Sequence, residues 1–172
     1  FFAMASFQTM MAQGLHINAN LKNVPDNTTA SLIDGMANKV VDSAKVVGGA
    51  FHLKAEVANP GIFVIAFGGL PAKLPMFVGN DQLTITGDLK DANNIVYQGS
   101  ATQSLYLQYM KVLTPQIEGL FGVKNIGATA TGNTKDSALK QVSIREAGIA
   151  NSLTELIKAN NQSPVSTLFL LQ

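Results

Sequence analysis

Few residues in this chain have the type and spacing that chemistry demands. Gly127-Ala-Thr-Ala-Thr-Gly132-Asn133-Thr134 has the glycine spacing of a phosphate-binding loop. Such a loop needs a lysine directly after its second glycine and a strand before the first. Here Asn133 holds that place and Lys135 comes two positions late, so the segment reads as a flexible connection between helices. Asp81, Asp88 and Asp91 gather near turns, but their spacing is not that of a calcium loop. Aspartate at a turn caps the backbone, and that is the role expected of all three. Ser100, Ser104 and Ser163 stand outside any Gly-x-Ser-x-Gly, and helix capping accounts for Ser100 and Ser163.

His16 and His52 are the two histidines of the chain, and they fall on separate predicted strands. Zinc takes three or four convergent ligands, so both are expected to be strand residues facing solvent or a polar rim. There is no cysteine. That excludes a disulfide framework, a thiolate metal site and a C-x-x-C redox centre within these residues. No general acid–base pair stands out among 11 scattered acidic residues. No catalytic, cofactor-binding or metal residue is therefore assigned, and the expectation is a non-enzymatic chain with no cofactor.

The 172 residues suffice for one domain, or one domain with an appendage, around a real core. Apolar residues make up 47% and charged residues 13%, which is not the composition of a disordered segment. Twelve basic residues against 11 acidic ones leave no field to attract a polyanion, so nucleic acid is not an expected partner.

The first half is written as short alternating runs between turns. Leu15 to Leu21, Thr28 to Ile33, Val40 to Val47 and Phe51 to Val57 are predicted strands. Ile62 to Phe67 is a continuous apolar run, expected to be covered on both faces. Leu74 to Val78 contains Pro75, which points to an edge strand or a bulge. Strands around Leu83 and Ile85 and over Ile95 to Gln98 bring the number to eight. Gly48-Gly49, Asn59-Pro60-Gly61 and the glycine–aspartate and glycine–asparagine pairs punctuate them as in a β-meander.

At Ser100 the period changes. Ser100 and Gln103 form a capping box, in which the serine hydroxyl takes an amide of the first turn and the glutamine answers the cap's own amide. Leu105, Tyr109, Val112 and Leu113 then recur at helical spacing. Pro115 is expected to start a second helix or kink the first, and Gly122 to Asn133 to form a mobile loop. Lys135 to Asn160 is helical again, with Leu139, Val142, Ile149, Leu153, Leu156 and Ile157 as its apolar stripe. Ser163-Pro164 opens a last helix. The fold class is α+β: an antiparallel β-sandwich or partly open barrel of about eight short strands, followed by a helical segment.

Residues Phe1 to Ala12 read FFAMASFQTMMA, uncharged, apolar and rich in small residues. They are expected to be the remnant of a secretory signal peptide, too short to span a bilayer. The organisation expected is a signal remnant over 1–12, a β-domain over 13–99 and a helical segment over 100–172, leading to a further domain. No transmembrane span is expected.

Gly48-Gly-x-Phe51, Asn59-Pro-Gly61, the stretch Phe77 to Asp88, and the Gly99-Ser100 junction carry a resemblance. Together they resemble the domain of unknown function that precedes thioredoxin-like domains in exported bacterial thiol–disulfide oxidoreductases. Asn160, Ser163 and Pro164 match the helix start before that next domain, so the resemblance runs over about Gly14 to Gln172. It implies a scaffolding or substrate-binding module whose partner is a downstream thioredoxin-like domain of the same polypeptide. A homodimer or a client protein are further partners it implies, in the periplasm or cell envelope of a Gram-negative bacterium.

Phe63, Phe67, Phe77, Tyr97, Tyr106 and Tyr109 form the aromatic set, expected chiefly in the core. For partner docking, Tyr97, Tyr106 and Tyr109 are the residues expected, because each has a polar end to present. Asp42-Ser43-Ala44 and Asp136-Ser137-Ala138 resemble a short O-glycosylation acceptor motif. The alternative to the redox-associated module is a free-standing envelope β-sandwich that binds carbohydrate or another ligand on a concave aromatic face.

Overall fold

In the computed structural model, which describes residues 14–170, eight strands are followed by three helices. The expected signal remnant over 1–12 lies outside the described residues. The strands are β1 (Leu15–Lys22), β2 (Thr29–Asp34), β3 (Lys39–Lys45), β4 (Ala50–Ala55), β5 (Gly61–Phe67), β6 (Lys73–Val78), β7 (Gln82–Asp88) and β8 (Asp91–Gln98). The helices are α1 (Ala101–Thr129), α2 (Gly132–Ala159) and α3 (Pro164–Leu170). The chain divides into two compact units between Gln103 and Ser104.

The first unit is a sandwich of two four-stranded sheets, ordered β4-β1-β7-β8 and β3-β2-β5-β6. Alternation is the cause of its core. Leu15, Ile17, Ala19 and Leu21 of β1 point inward, as do Phe51 and Leu53 of β4 and Leu83 and Ile85 of β7. Ala30, Leu32, Phe63, Ile65, Phe67, Leu74 and Met76 meet them from the second sheet. Phe51 and Phe67 pack edge to face with ring centres 5.8 Å apart. The sheets are not closed into a barrel, so the sandwich form of the expectation is the one found.

The strands are not a meander. Sequence neighbours pair only in β2–β3, β5–β6 and β7–β8, and β1 lies parallel to β7. Turn residues reveal where the chain bends but not which sheet receives the next strand. Gly48 and Gly49 show this well. They do form a tight turn with φ of 58° and 82°, bracketed by the Val47–Ala50 bridge. Yet β3 and β4 on either side of it belong to different sheets. β6 is an edge strand, as Pro75 requires. β5 is central, buried on its core side and half-buried at Ile62, Val64 and Ala66. β8 starts at Asp91, earlier than Ile95, because its polar first half forms an exposed hairpin with β7.

The helical unit differs from expectation in its middle. No long loop separates the helices: α1 runs through Gly122 and Gly127 to Thr129, and Ala130-Thr131 alone connects it to α2. Pro115 sits inside α1 without ending it. Of the glycines in the expected loop, Gly127 faces the second helix, whereas Gly122 has open space around it. A Cβ on Gly127 would lie 3.5 Å from the Ala138 Cβ, and one on Gly119 2.6 Å from the Arg145 guanidinium. The missing side chains leave room for Ala138 at Gly127 and for the Arg145 side chain at Gly119. Polar bridges join α1 to α2, with Gln116 Nε2 donating to Ser152 Oγ at 3.0 Å and Lys124 meeting Glu146 at 2.9 Å.

Candidate functional site

The start of α1 shows how one side chain can serve two elements. Ser100 Oγ accepts the Gln103 amide at 3.0 Å, the N-terminal cap the residue types predicted. The reciprocal half of the box is different. Gln103 Oε1 accepts the Phe77 amide at 2.8 Å, so the glutamine is drawn to the sheet edge at β6 and away from its own cap. An edge amide turned away from its neighbouring strand needs an acceptor once buried, and Gln103, itself fully buried, supplies one. Its Nε2 has no hydrogen-bond partner.

The three tyrosines expected at a docking face have different surroundings. Tyr109 is fully buried in the helical unit, its ring stacked on Phe169 at 5.2 Å. Its hydroxyl lies 2.7 Å from the Leu156 carbonyl and 2.8 Å from Ser166 Oγ, and Ser166 Oγ lies 2.7 Å from the Asn160 carbonyl. Two hydroxyl protons thus serve three oxygen contacts. Tyr109 is a tie between three helices, with its polar end already engaged. Tyr106 is half-buried, and burial pushes its phenol above the usual tyrosine value. Tyr97 is half-buried against the sandwich core.

Among its exposed residues the helical unit presents several large apolar side chains. Phe121 is 60% exposed, and Leu107, Val112, Ile126, Leu139 and Ile144 are exposed as well. Leu139, expected inside the apolar stripe of α2, therefore faces out, while Ala138 beside it is buried. A groove of about 480 Å³ lined by Val112, Ser152, Glu155 and Leu156 lies on the same unit. Sequence periodicity missed this surface because both faces of α1 carry apolar residues.

The outer face of the first sheet is largely polar, with Lys22 and Lys54 among its charged residues. His52, Asn18, Thr84 and Gln98 stand opposite one another across its four strands, all exposed. At one end of this sheet, Asn20, Lys22, Thr86, Gly87, Asp88 and Asn94 line a hollow of about 580 Å³. Asn23 Nδ2 lies 2.7 Å from both carboxylate oxygens of Asp88, which holds that carboxyl below its ordinary value, with help from the Lys90 amide.

The aspartates behave as turn caps. Asp81 accepts the Gly79 amide, Asp88 the Lys90 amide and Asp91 the Asn93 amide. The phosphate-loop spacing falls on the end of α1 and the first turn of α2, with no strand before it. Ser163 Oγ accepts the Val165 amide at the start of α3. Ser43 and Ser137 are both exposed. Among the described residues no group of three or more His, Asp or Glu is placed to hold a metal ion, and no helix is long and apolar enough to cross a membrane.

No curated protein and no solved structure matches the chain. A family does, over residues 15–106, a span that begins with β1 and ends in the second turn of α1. It contains every strand of the sandwich together with the Ser100–Gln103 cap. On that match the chain belongs to the family described as domain of unknown function DUF4369.

Proposed function

We propose that this chain is a non-catalytic binding and scaffolding module of an exported thiol–disulfide oxidoreductase, in the periplasm or cell envelope. Its partner is a thioredoxin-like domain further along the same polypeptide, which docks on the apolar surface of the helical unit. The observation that supports this reading is the number of large apolar side chains that the helical unit leaves exposed. Phe121, Ile126, Leu139 and Ile144 each expose half or more of their area, in a unit that is otherwise well formed. Contiguous exposed apolar area marks an interaction site in soluble proteins, and the proposal requires some of these side chains to form such a patch. The absence of cysteine fits a module whose thiol chemistry is supplied by another domain. Half-buried Tyr106 on the helical unit and half-buried Tyr97 on the sandwich are the tyrosines proposed for partner contacts, each taken on its own unit.

The test is to read the coding sequence past Gln172. An open frame of about 100–200 residues carrying a C-x-x-C after a strand is the expected result. A stop codon at that point would overturn the reading. The second reading, a free-standing envelope sandwich that binds a carbohydrate, would then take its place. It is favoured by the polar hollow at Asn20, Thr86, Asp88 and Asn94, where amide and hydroxyl groups could pair with sugar hydroxyls.

A further inference from the structure

The two histidines, which the sequence separates, are brought together by the fold. β1 and β4 are antiparallel neighbours, with His16 opposite Lys54 and Asn18 opposite His52. His16 and His52 are therefore diagonal neighbours on the outer face of the sheet. Their ring centres lie 5.8 Å apart, with the rings inclined at 34°. We propose that His16 and His52 are the two protein ligands of a surface site for a borderline divalent transition-metal ion, copper(II) before zinc(II).

Three features support the assignment. The first is distance. A metal bonded to imidazole nitrogen at about 2.0–2.1 Å lies about 3.2 Å from the ring centre, so two rings can share one ion up to a centre separation of about 6.4 Å. The observed 5.8 Å lies inside that limit. A tetrahedral angle, as at zinc(II), asks for about 5.2 Å, and a right angle between cis ligands of copper(II) for about 4.5 Å, which side-chain rotations on exposed strands can provide.

The second feature is the state of His52. Its Nδ1 lies 2.9 Å from Asn18 Oδ1, and an amide oxygen can only accept. The proton therefore sits on Nδ1 and the lone pair on Nε2, the nitrogen left to bind. A ligating histidine is commonly oriented through its other nitrogen in this way.

The third feature is local charge. Asp42, Glu56 and Lys54 line, together with His16, an adjoining hollow of about 400 Å³. Two carboxylates against one ammonium leave the local balance negative, which favours a cation. Lys54 stands directly opposite His16, but its ammonium rides on a flexible four-carbon stem and can turn aside. With two protein ligands, water completes the coordination shell. This is a site for an exchangeable ion and differs from the closed three- or four-ligand zinc site that the sequence lacks. The preference for copper(II) follows from the stability order of divalent ions on nitrogen ligands.

The experiment is calorimetric titration of the untagged full chain with copper(II) and with zinc(II) alone, at neutral pH. Because the chain has only these two histidines, imidazole-dependent binding can come from nowhere else. The expected result is one ion per chain, bound more tightly for copper(II). His16→Ala and His52→Ala should each lower the affinity more than Asn18→Ala does, and Asn18→Ala by about tenfold. Lys54→Gln should raise it. Far-ultraviolet circular dichroism of each variant should match the parent, since His52 and Asn18 are exposed. Binding unchanged in the double variant His16→Ala/His52→Ala, or no binding by the parent chain, would overturn the proposal.

Discussion

Replacing Tyr109 by phenylalanine separates a structural tie from a docking residue. The ring remains, with its stacking on Phe169, so no cavity forms. What is lost is one hydroxyl, which touches the Leu156 carbonyl at 2.7 Å and Ser166 Oγ at 2.8 Å. Leu156 keeps a donor in Asn160 Nδ2 at 3.0 Å, and Ser166 keeps the Asn160 carbonyl as its acceptor. The groups left behind are thus still paired, and the cost is that of the lost bonds alone, about 1–2 kcal/mol at about 1 kcal/mol per net hydrogen bond. In a unit of about 60–100 residues, each kcal/mol moves the melting temperature by about 4–8 °C. Tyr109→Ala also removes a buried ring and should cost about 3–5 kcal/mol. The assay is urea denaturation followed by helical circular dichroism, with Ser166→Ala and the double variant completing a cycle. The two single losses should not add, because they share one network. A Tyr109→Phe protein as stable as the parent would refute the argument, and would return Tyr109 to the docking surface if partner binding fell instead.

Other expectations are shorter to state. Asp88 has a carboxyl held below its ordinary value of 3.8, first by Asn23 and then by the Lys90 amide. The stability it contributes is therefore present above 3.8 and lost as pH falls through the lower folded value. A carbon-detected titration of Asp88 should show the depressed midpoint, and Asn23→Ala should bring it back towards ordinary. Gly49 has φ of 82°, and a Cβ there would lie 2.5 Å from the Leu21 carbonyl oxygen. Gly49→Ala should destabilise the sandwich by about 1–3 kcal/mol, read by chemical denaturation. The Lys124–Glu146 pair is half-exposed at both ends. Breaking it with Lys124→Gln should cost less than about 1 kcal/mol, and less still in 1 M salt.

How much of this could be read from residues varies with the physics. The alternation of Leu15, Ile17, Ala19 and Leu21 made β1 visible, and Pro75 marked β6 as an edge, because both are local constraints. Ser100 was legible as a cap for the same reason. Partner choice is non-local, so the parallel β1–β7 contact left no trace in any short window. Gln103 matched a capping box, but a buried edge amide at Phe77 competed for its oxygen and won. Gly127 was misread because glycine both breaks helices and lets them pack closely, and only the partner helix decides between the two, while Gly122 is carried inside α1 with open space around it. The nearness of the two histidines was hidden on the same account: separate strands in the sequence are adjacent strands in the sheet.

The position of β1 has a consequence for the order in which the chain can fold. It lies inside its sheet, between β4 and β7, and pairs with β7 from His16–Gln82 to Lys22–Asp88. The second sheet, by contrast, draws its four strands from one shorter stretch, Thr29 to Val78. A chain made from its N-terminus can assemble that second sheet while β1 still has one side unmatched. Pairings so distant along the chain delay folding, because a long loop must close before they reward it. Until Gln82 to Asp88 emerges, β1 presents an open row of amides and carbonyls to any strand nearby, so the interval before β7 arrives is when this protein is most exposed to mispairing and aggregation.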